Sequence, residues 1–380
     1  MNDTNAVFPE IVISGTGMWT APYVITNEEL VDSYNRWAQK YNTENARAIA
    51  DGQMEEKPLS SVRFIEKSSG INARYVYSKE GILDIDRMRP KFAERTEDEL
   101  SNQAEIAVAA ARNAMAAAGK TAADIDAVIV SAAYTQRSYP AIAIEVQKEL
   151  GIDGFGFDML MACSAATFGL HRAYDSLMAG TARCVLAINP ELVTPQVNYC
   201  DRDSHFIFGD VSTAVIMERR ETCTAPNCFT VLSTKAYTSF SNTIRSNFGH
   251  MSRATDADPY GWDKLFHQAG RQVFNEVSPV AAEHIRKHLA SHDITPQAVK
   301  RYWLHQANIN MNKMVIKYLL DDALTPDKTP TILDRYANTA SAGSIIAFHK
   351  HNTDFSTGDI GVICSFGAGY SVGSLVLQKI

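Results

Sequence analysis

Thr121-Ala-Ala-Asp-Ile-Asp-Ala-Val-Ile-Val-Ser131 has a counterpart later in the chain, Thr295-Pro-Gln-Ala-Val-Lys-Arg-Tyr-Trp-Leu-His305. In the first stretch Thr121 and Asp124 have capping-box spacing, and a buried strand follows over Ala127–Ser131. In the second, Pro296 takes the first helical position after Thr295, and Val299–Leu304 is the strand. Thr121 lies as far from Thr295 as Ser131 does from His305. A helix precedes each stretch. The first spans Ser101–Ala118, is alanine-rich and stops at Gly119; the second covers roughly Pro279–Ser291. Few residues are identical, but the order and lengths repeat. The expectation is a duplicated α/β unit with a mixed, mostly parallel sheet in each half, divided into residues 1–200 and 201–380.

Outside the repeat, Ile11–Ile13 reads as a buried strand running into a tight turn at Ser14-Gly15-Thr16-Gly17. Residues 31–61 are polar and helix-prone, and read as an excursion from the core, either a cap or a dimer arm. The chain has 380 residues, 46% hydrophobic and 21% charged, which is ample for a large core. A net charge of -7 argues against nucleic acid as the main partner. The first residues, Met1-Asn-Asp-Thr-Asn5, have neither the basic nor the apolar region of a signal peptide. No apolar run approaches the roughly 20 residues of a membrane helix. Six scattered cysteines suit a reducing cytoplasm better than a disulfide framework.

Cys163 stands apart from the other five. Gly156–Met161 reads as a strand, and Ser164–Ala179 as a helix closed by Gly180, so Cys163 lies at a strand-to-helix junction. Free N–H groups and the helix dipole there favour an anion, so its thiol pKa is expected to fall. Ala162, Ser164, Ala165 and Ala166 leave room for a substrate. Position alone leaves a buried structural cysteine equally open. Cys184 and Cys364 fall in strand patterns; Cys200, Cys223 and Cys228 fall in loops.

His305 ends a buried strand, where α/β sheets gather their active sites, and is followed by Gln306-Ala307-Asn308. Further on, Leu333-Asp-Arg-Tyr-Ala-Asn338-Thr-Ala-Ser-Ala-Gly-Ser344 packs small and polar residues around one asparagine. An asparagine N–H and an imidazole N–H can together hold one carbonyl oxygen as it becomes an enolate.

Taken together, these residues resemble the β-ketoacyl-acyl-carrier-protein synthase III family of thiolase-like condensing enzymes. The resemblance rests on Asp158–Ala166; Ile207-Phe208-Gly209-Asp210; His305–Asn308; Asp334–Thr339; and Ser365–Gly369 through Gly373-Ser374. Ser69-Gly70-Ile71 with Arg74 adds an early signature. It implies a five-layered α-β-α-β-α fold, a homodimer, and acyl-carrier-protein or acyl-coenzyme A substrates, with no metal or cofactor. It also implies that Cys163 carries the acyl group while His305 and Asn338 stabilise the enolate of a decarboxylating malonyl unit. The N–H groups of Cys163 and Ala368 would form the oxyanion hole. Phe366, Gly270, Arg271 and Asn308 would meet substrate, and Tyr139 would reach the partner subunit's acyl pocket. Arg271, Lys313 and Lys317 would form a basic patch for an acidic carrier protein.

Two places depart from the family pattern. The segment that helps hold the adenine of coenzyme A reads Ser61-Val62-Arg63-Phe64, and Pro195 stands near the usual place of an arginine. Both point away from acetyl-coenzyme A, toward a carrier protein or a medium-to-long acyl chain. Two alternatives within the fold are a condensing and cyclising enzyme joining two long chains, and an inert subunit of a heteromeric synthase. Gly369-Tyr-Ser-Val-Gly373 matches a hydrolase elbow, but the tail after it reads as a strand and holds no histidine. His284, His288 and His292 share one helix face, read as solvated, and Asp201-x-Asp203-x-His205 is read as a polar loop.

Overall fold

A computed structural model describes residues 8–320 and 327–380. The first five residues, on which the leader reading rests, lie outside it. Chain order runs β1 (Ile11–Thr20), β2 (Tyr23–Thr26), α1 (Asn27–Glu44), α2 (Ala46–Ala50), α3 (Val62–Ser69), β3 (Ala73–Val76), α4 (Asn102–Ala118) and β4 (Ala127–Ala132). It continues with α5 (Ile142–Leu150), β5 (Phe155–Leu160), α6 (Ala165–Ala179), β6 (Cys184–Glu191), β7 (Val211–Arg219), β8 (Phe229–Ser241), β9 (Ile244–Arg245) and β10 (His267–Gln268). Last come α7 (Gly270–Ala290), β11 (Val299–Leu304), α8 (Ile309–Leu320), α9 (Leu333–Tyr336), α10 (Ala342–Lys350), β12 (Ile360–Gly367) and β13 (Gly369–Lys379).

Among the described residues, nine strands hydrogen-bond in the order β11-β12-β13-β8-β1-β7-β6-β4-β5. The duplication is visible in that order: β5-β4-β6-β7-β1 mirrors β11-β12-β13-β8. Beyond β11, at its free edge, the N–H of Tyr302 donates to Lys328 O at 2.7 Å. The two strand sets join only through β1 and β8, at Val12↔Thr230 and Ile13↔Phe229. A division at residue 200 falls ahead of β7, yet β7 pairs with β1 and β6, so the hand-over between sets lies after Arg219.

Helices α4 and α5 cover the outer face of the first set, and α7 and α8 that of the second. Helices α6 and α10 lie between the sets, touching strands of both. The result is the expected five layers. The central helices carry small residues where they meet the sheet: a Cβ on Gly169 would stand 2.3 Å from Ser131 Oγ.

Two local readings change. Ser14–Gly17 makes no turn: β1 continues through it, with a shift of register against β7 between Ile13 and Gly15. Its glycines are there because α4 lies close: a Cβ on Gly17 would meet Ala110 O at 2.3 Å. Helix α7 starts at Gly270, well before Pro279, which sits inside it. A proline can mark a helix start, and here it marks an interior position instead.

The polar 31–61 segment packs back onto its own chain. Helix α1 begins inside a Thr26/Glu29 capping box and buries Leu30 and Tyr34. Leu30 joins a cluster containing Ile65, Ile71, Phe206, Phe208, Ala337 and Ala340. Tyr34 also stacks on His205 at 4.7 Å. Buried Arg74 ties the start of α1 down by donating to Asn27 Oδ1 at 2.7 Å and Phe206 O at 3.2 Å.

His284 and His288 on α7 are buried, not solvated, and His292, just past the helix end, is half-buried. His284 and His288 both hydrogen-bond Ser374 Oγ, at 2.9 and 2.7 Å; His288 and His292 both bond Ser233 Oγ. Burial pushes His284 down to about 4 and His288 to about 3, helped at His288 by the neighbouring histidines. Unfolding returns these rings to ordinary values and lets them bind protons. Their contribution is therefore complete above about pH 7 and is lost as pH falls toward 4, at up to about 1.4 kcal/mol per pH unit for each ring. The urea midpoint should drop between pH 7 and pH 5. His288→Asn, though less stable at pH 7, should show a shallower drop. Equal slopes in both proteins would show that this face does not titrate on unfolding.

Candidate active site

Cys163 follows β5 in a single 3₁₀ turn that leads into α6. Ala162, just before it, takes a left-handed φ of 44°. The adjoining strand β12 passes close by: a Cβ on Gly367 would stand 2.4 Å from Cys163 Cβ and 3.0 Å from its Sγ. Only glycine leaves that space. Ser164 next to it is clasped by Ser371, whose hydroxyl donates to Ser164 Oγ at 2.9 Å. Ser371 is fully buried in β13, a strand rather than a strand-to-helix elbow, so it is no hydrolase nucleophile.

The thiol pKa does not fall. Burial and then the charge of Glu191 push it up to about 12, against the backbone N–H groups of Ala368 and Cys163, which pull it down. Desolvation outweighs the junction's dipoles. Those two N–H groups are the pair expected to form an oxyanion hole.

His305 leaves β11 with its N–H donating to Cys364 O on β12 at 2.8 Å. Its ring packs edge-on against Phe366, with centroids 5.4 Å apart. The imidazole is buried and its Nδ1 has no hydrogen-bond partner. Burial pushes it down to about 4, opposed by the backbone of Ala340. At neutral pH the ring is uncharged and can donate one N–H.

Asn338 sits in a loop held at both ends of the residue: its N–H donates to Ile207 O at 2.9 Å, and its carbonyl accepts from Gly209 N–H at 3.1 Å. Its side-chain Oδ1 accepts from Ala340 N–H at 2.9 Å, which turns the amide's NH₂ away from its own loop. Cys163 and His305 thus meet at the carboxyl end of β12 around Phe366–Ala368, and the backbone of Ala340, two residues past Asn338, reaches the His305 ring.

The remaining residues are more dispersed. Gly270 opens α7, and Arg271 beside it is exposed, lining a shallow cleft with Asn275 and Glu276. Lys313 and Lys317 are exposed on α8, which packs against α7. Asn308 is occupied: its Nδ2 donates to Ser68 O at 2.6 Å and its Oδ1 accepts from Asn310 N–H at 2.8 Å. Tyr139 is 82% exposed.

Comparison with known proteins agrees with this geometry. Residues 157–236 match the family model 3-oxoacyl-[acyl-carrier-protein (ACP)] synthase III, and residues 289–379 match its C-terminal model. A β-ketodecanoyl-[acyl-carrier-protein] synthase of Pseudomonas aeruginosa is 52% identical over 92% of this chain and 100% of its own. The chain belongs to the β-ketoacyl-acyl-carrier-protein synthase III family. It is a condensing enzyme of the Claisen type. A β-ketoacyl-[acyl-carrier-protein] synthase III of Granulibacter bethesdensis is 27% identical over 97% of this chain and 98% of its own. The 3-oxoacyl-[acyl-carrier-protein] synthase III of Aquifex aeolicus shares the fold, with a TM-score of 0.74, 22% identity, and coverage of 97% and 99% of the two chains.

Two features of this synthase III were not read from the sequence. The first is Arg202, whose guanidinium lies 3.9 Å over the Phe64 ring. Arg202 lies in the Asp201–His205 stretch, past Pro195. That stretch is also less polar than expected, because His205 is buried against Tyr34. The second is Glu191, a fully buried carboxyl at the end of β6. No spacing marked it, because its partners come from distant parts of the chain. Among the described residues, no helix is long and apolar enough to cross a membrane, and no group of three or more His, Cys, Asp or Glu is placed to hold a metal ion.

Proposed function

We propose that this enzyme, working in the cytoplasm, loads a medium-chain acyl group onto Cys163 and extends it with a malonyl thioester. The observation that carries this reading is the meeting of Cys163 and His305 at the end of β12, with the Ala340 backbone of the Asn338 loop at the His305 ring. Cys163 Sγ attacks the acyl thioester carbon, the carbon–sulfur bond to the donor breaks, and the donor departs as its free thiol, carrying the proton that Cys163 gives up. The malonyl unit then loses carbon dioxide, and its thioester oxygen becomes an enolate held by N–H groups of His305 and Asn338. The carbanion attacks the acyl-Cys163 carbonyl, whose oxygen is held by the N–H groups of Cys163 and Ala368. Collapse frees the β-ketoacyl thioester and restores the cysteine. A neutral His305 suits this chemistry, since no proton needs to be removed from carbon.

Chain length follows from the relative named for a β-ketodecanoyl product. Extension by a two-carbon unit makes that product from an octanoyl starter. Incubation with acetyl, octanoyl and lauroyl thioesters, followed by intact mass, should give an octanoyl adduct as the dominant species. A dominant acetyl adduct would reverse the assignment, and lauroyl would favour the reading in which long chains are joined.

Two donor surfaces are proposed. Phe64 and Arg202 stack on each other and would part to take the adenine of coenzyme A between them; Arg202 also lines a cleft of about 560 Å³ with Lys57, Arg245 and His267, beside Asp201 and Asp203. Arg271, Lys313 and Lys317 would meet an acidic carrier protein. The two separate cleanly. Arg202→Ala should raise KM for octanoyl-coenzyme A about tenfold and leave octanoyl-carrier protein unchanged, given the ~0.5–2 kcal/mol of a cation–π contact. Reversing Arg271 and Lys317 to Glu should slow only the carrier-bound substrate, most strongly at low salt. Equal effects on both donors would sink the division.

The enzyme is read as a homodimer. Strand β5 is an outer edge with Phe155, Phe157 and Leu160 exposed, and Tyr139 stands beside that face, ahead of α5. An apolar free edge invites pairing with a second copy, which would bring Tyr139 to the partner's acyl pocket. Sedimentation at micromolar concentration should give the dimer mass; a monomer would count against both statements.

A further inference from the structure

The reaction sketched above gives Glu191 no part, yet its surroundings are specific. Its carboxylate accepts from the Ala133 N–H, at 3.1 and 3.2 Å to its two oxygens. It accepts again from Ser341, from the N–H at 3.3 Å and from the hydroxyl. Ala133 follows β4, Glu191 ends β6, and Ser341 precedes α10 just beyond the Asn338 loop. One side chain therefore ties the carboxyl ends of two neighbouring strands in the first set to a loop of the second.

All its partners donate, so an acceptor-only carboxylate suits the place. Burial works the other way, with Asp210 adding repulsion, and lifts the carboxyl to about 7. Keeping an acid there is costly without compensation. The loop it holds gives a reason to keep it. Ala337 and Ala340 take φ values of 56° and 48°, a region that side-chain-bearing residues avoid. Ile207 and Gly209 hold the loop at Asn338 itself. Glu191 holds its far end at Ser341, and Ala340, which faces His305, lies between the two anchors.

We propose that Glu191 is a positioning residue that locks the Ala340–Ser341 end of this loop, so that the Asn338 amide and the His305 ring stay aimed at one substrate oxygen. The inference rests on the reading that those two groups hold the enolate. It separates the half-reactions: acyl loading uses Cys163 and its oxyanion hole, while decarboxylation needs the loop in register. Removing the carboxylate also removes a negative charge that disfavours the Cys163 thiolate, so loading should not slow.

The test measures two rates in each variant: acylation of Cys163 by octanoyl-coenzyme A, followed by intact mass, and decarboxylation of a malonyl thioester. Glu191→Ala should load at the wild-type rate or faster and decarboxylate about 10²-fold more slowly, the cost of a misplacement near 1 Å. Glu191→Gln keeps an acceptor oxygen for Ser341 and should recover most of that loss. A merely structural acid would lower both rates together and would not be rescued, and that result overturns the proposal. Ser341→Ala removes only the hydroxyl tie and should show the same split in smaller measure, even where Glu191→Ala fails to fold; no split there overturns the proposal as well. Asn338→Ala is the control. If it decarboxylates normally, the reading of the site has failed and Glu191 falls with it. If it is impaired while Glu191→Ala is normal, only the positioning role is wrong.

Discussion

Cys163→Ala is expected to show no acyl adduct with any thioester donor, while melting at a temperature close to that of the parent protein. The sulfur is the only group here proposed to bond the acyl carbon, so its loss removes the covalent intermediate altogether. The fold should tolerate the change: alanine is smaller, and Gly367 opposite leaves no Cβ that depends on the sulfur for support. The parent thiol should behave unusually as well. Burial and Glu191 push it up to about 12, so it stays protonated at neutral pH in the free enzyme. Alkylation of Cys163 by iodoacetamide should be slow at pH 7 and rise roughly tenfold per pH unit through pH 10, in proportion to the thiolate. A plateau below pH 8 would mean that the junction's N–H groups prevail over burial after all. Persistent acylation of Cys163→Ala, mapped to another residue, would remove Cys163 from the chemistry.

The duplicated architecture was legible because turn and strand recur together. Thr121 with Asp124, and Thr295 with Pro296, announce the start of each strand locally. Cys163, His305 and Asn338 stood out as candidates because each lies at the boundary of an element. What escaped depended on contacts between distant segments. Gly15 and Gly17 look like a turn until α4 is known to press on them. The α7 histidines look solvated until Ser233 and Ser374 arrive from β8 and β13. Arg202 and Phe64, and Glu191 with Ser341, are pairs that only the folded chain brings together. The sign of the Cys163 shift was misjudged for a related reason. A helix N-terminus is visible in sequence, but the desolvation that outweighs it is set by β12 packing against the sulfur.

Asn338→Ala should leave Cys163 loading near the parent rate and slow both decarboxylation and condensation by about 10²–10³, the usual cost of one donor aimed at a developing oxyanion. The physical reason is the direction of its amide. Oδ1 is already used by Ala340 N–H at 2.9 Å, so the NH₂ is the group left to face substrate. His305 alone then supports the enolate, and its own donation is weakened by having no fixed partner on Nδ1. Backbone support for the loop survives the change, because the Ile207 and Gly209 bonds use main-chain atoms. A fall in decarboxylation therefore reports the missing amide rather than a collapsed loop. Asn338→Asp separates charge from shape: it keeps Oδ1 for Ala340 but replaces the donor with an acceptor that repels an enolate, so it should be slower than Asn338→Ala. Single-turnover decarboxylation of a malonyl thioester by the octanoylated enzyme reads the effect directly. If Asn338→Asp matches the parent rate, the amide is not the donor and the enolate must be held elsewhere.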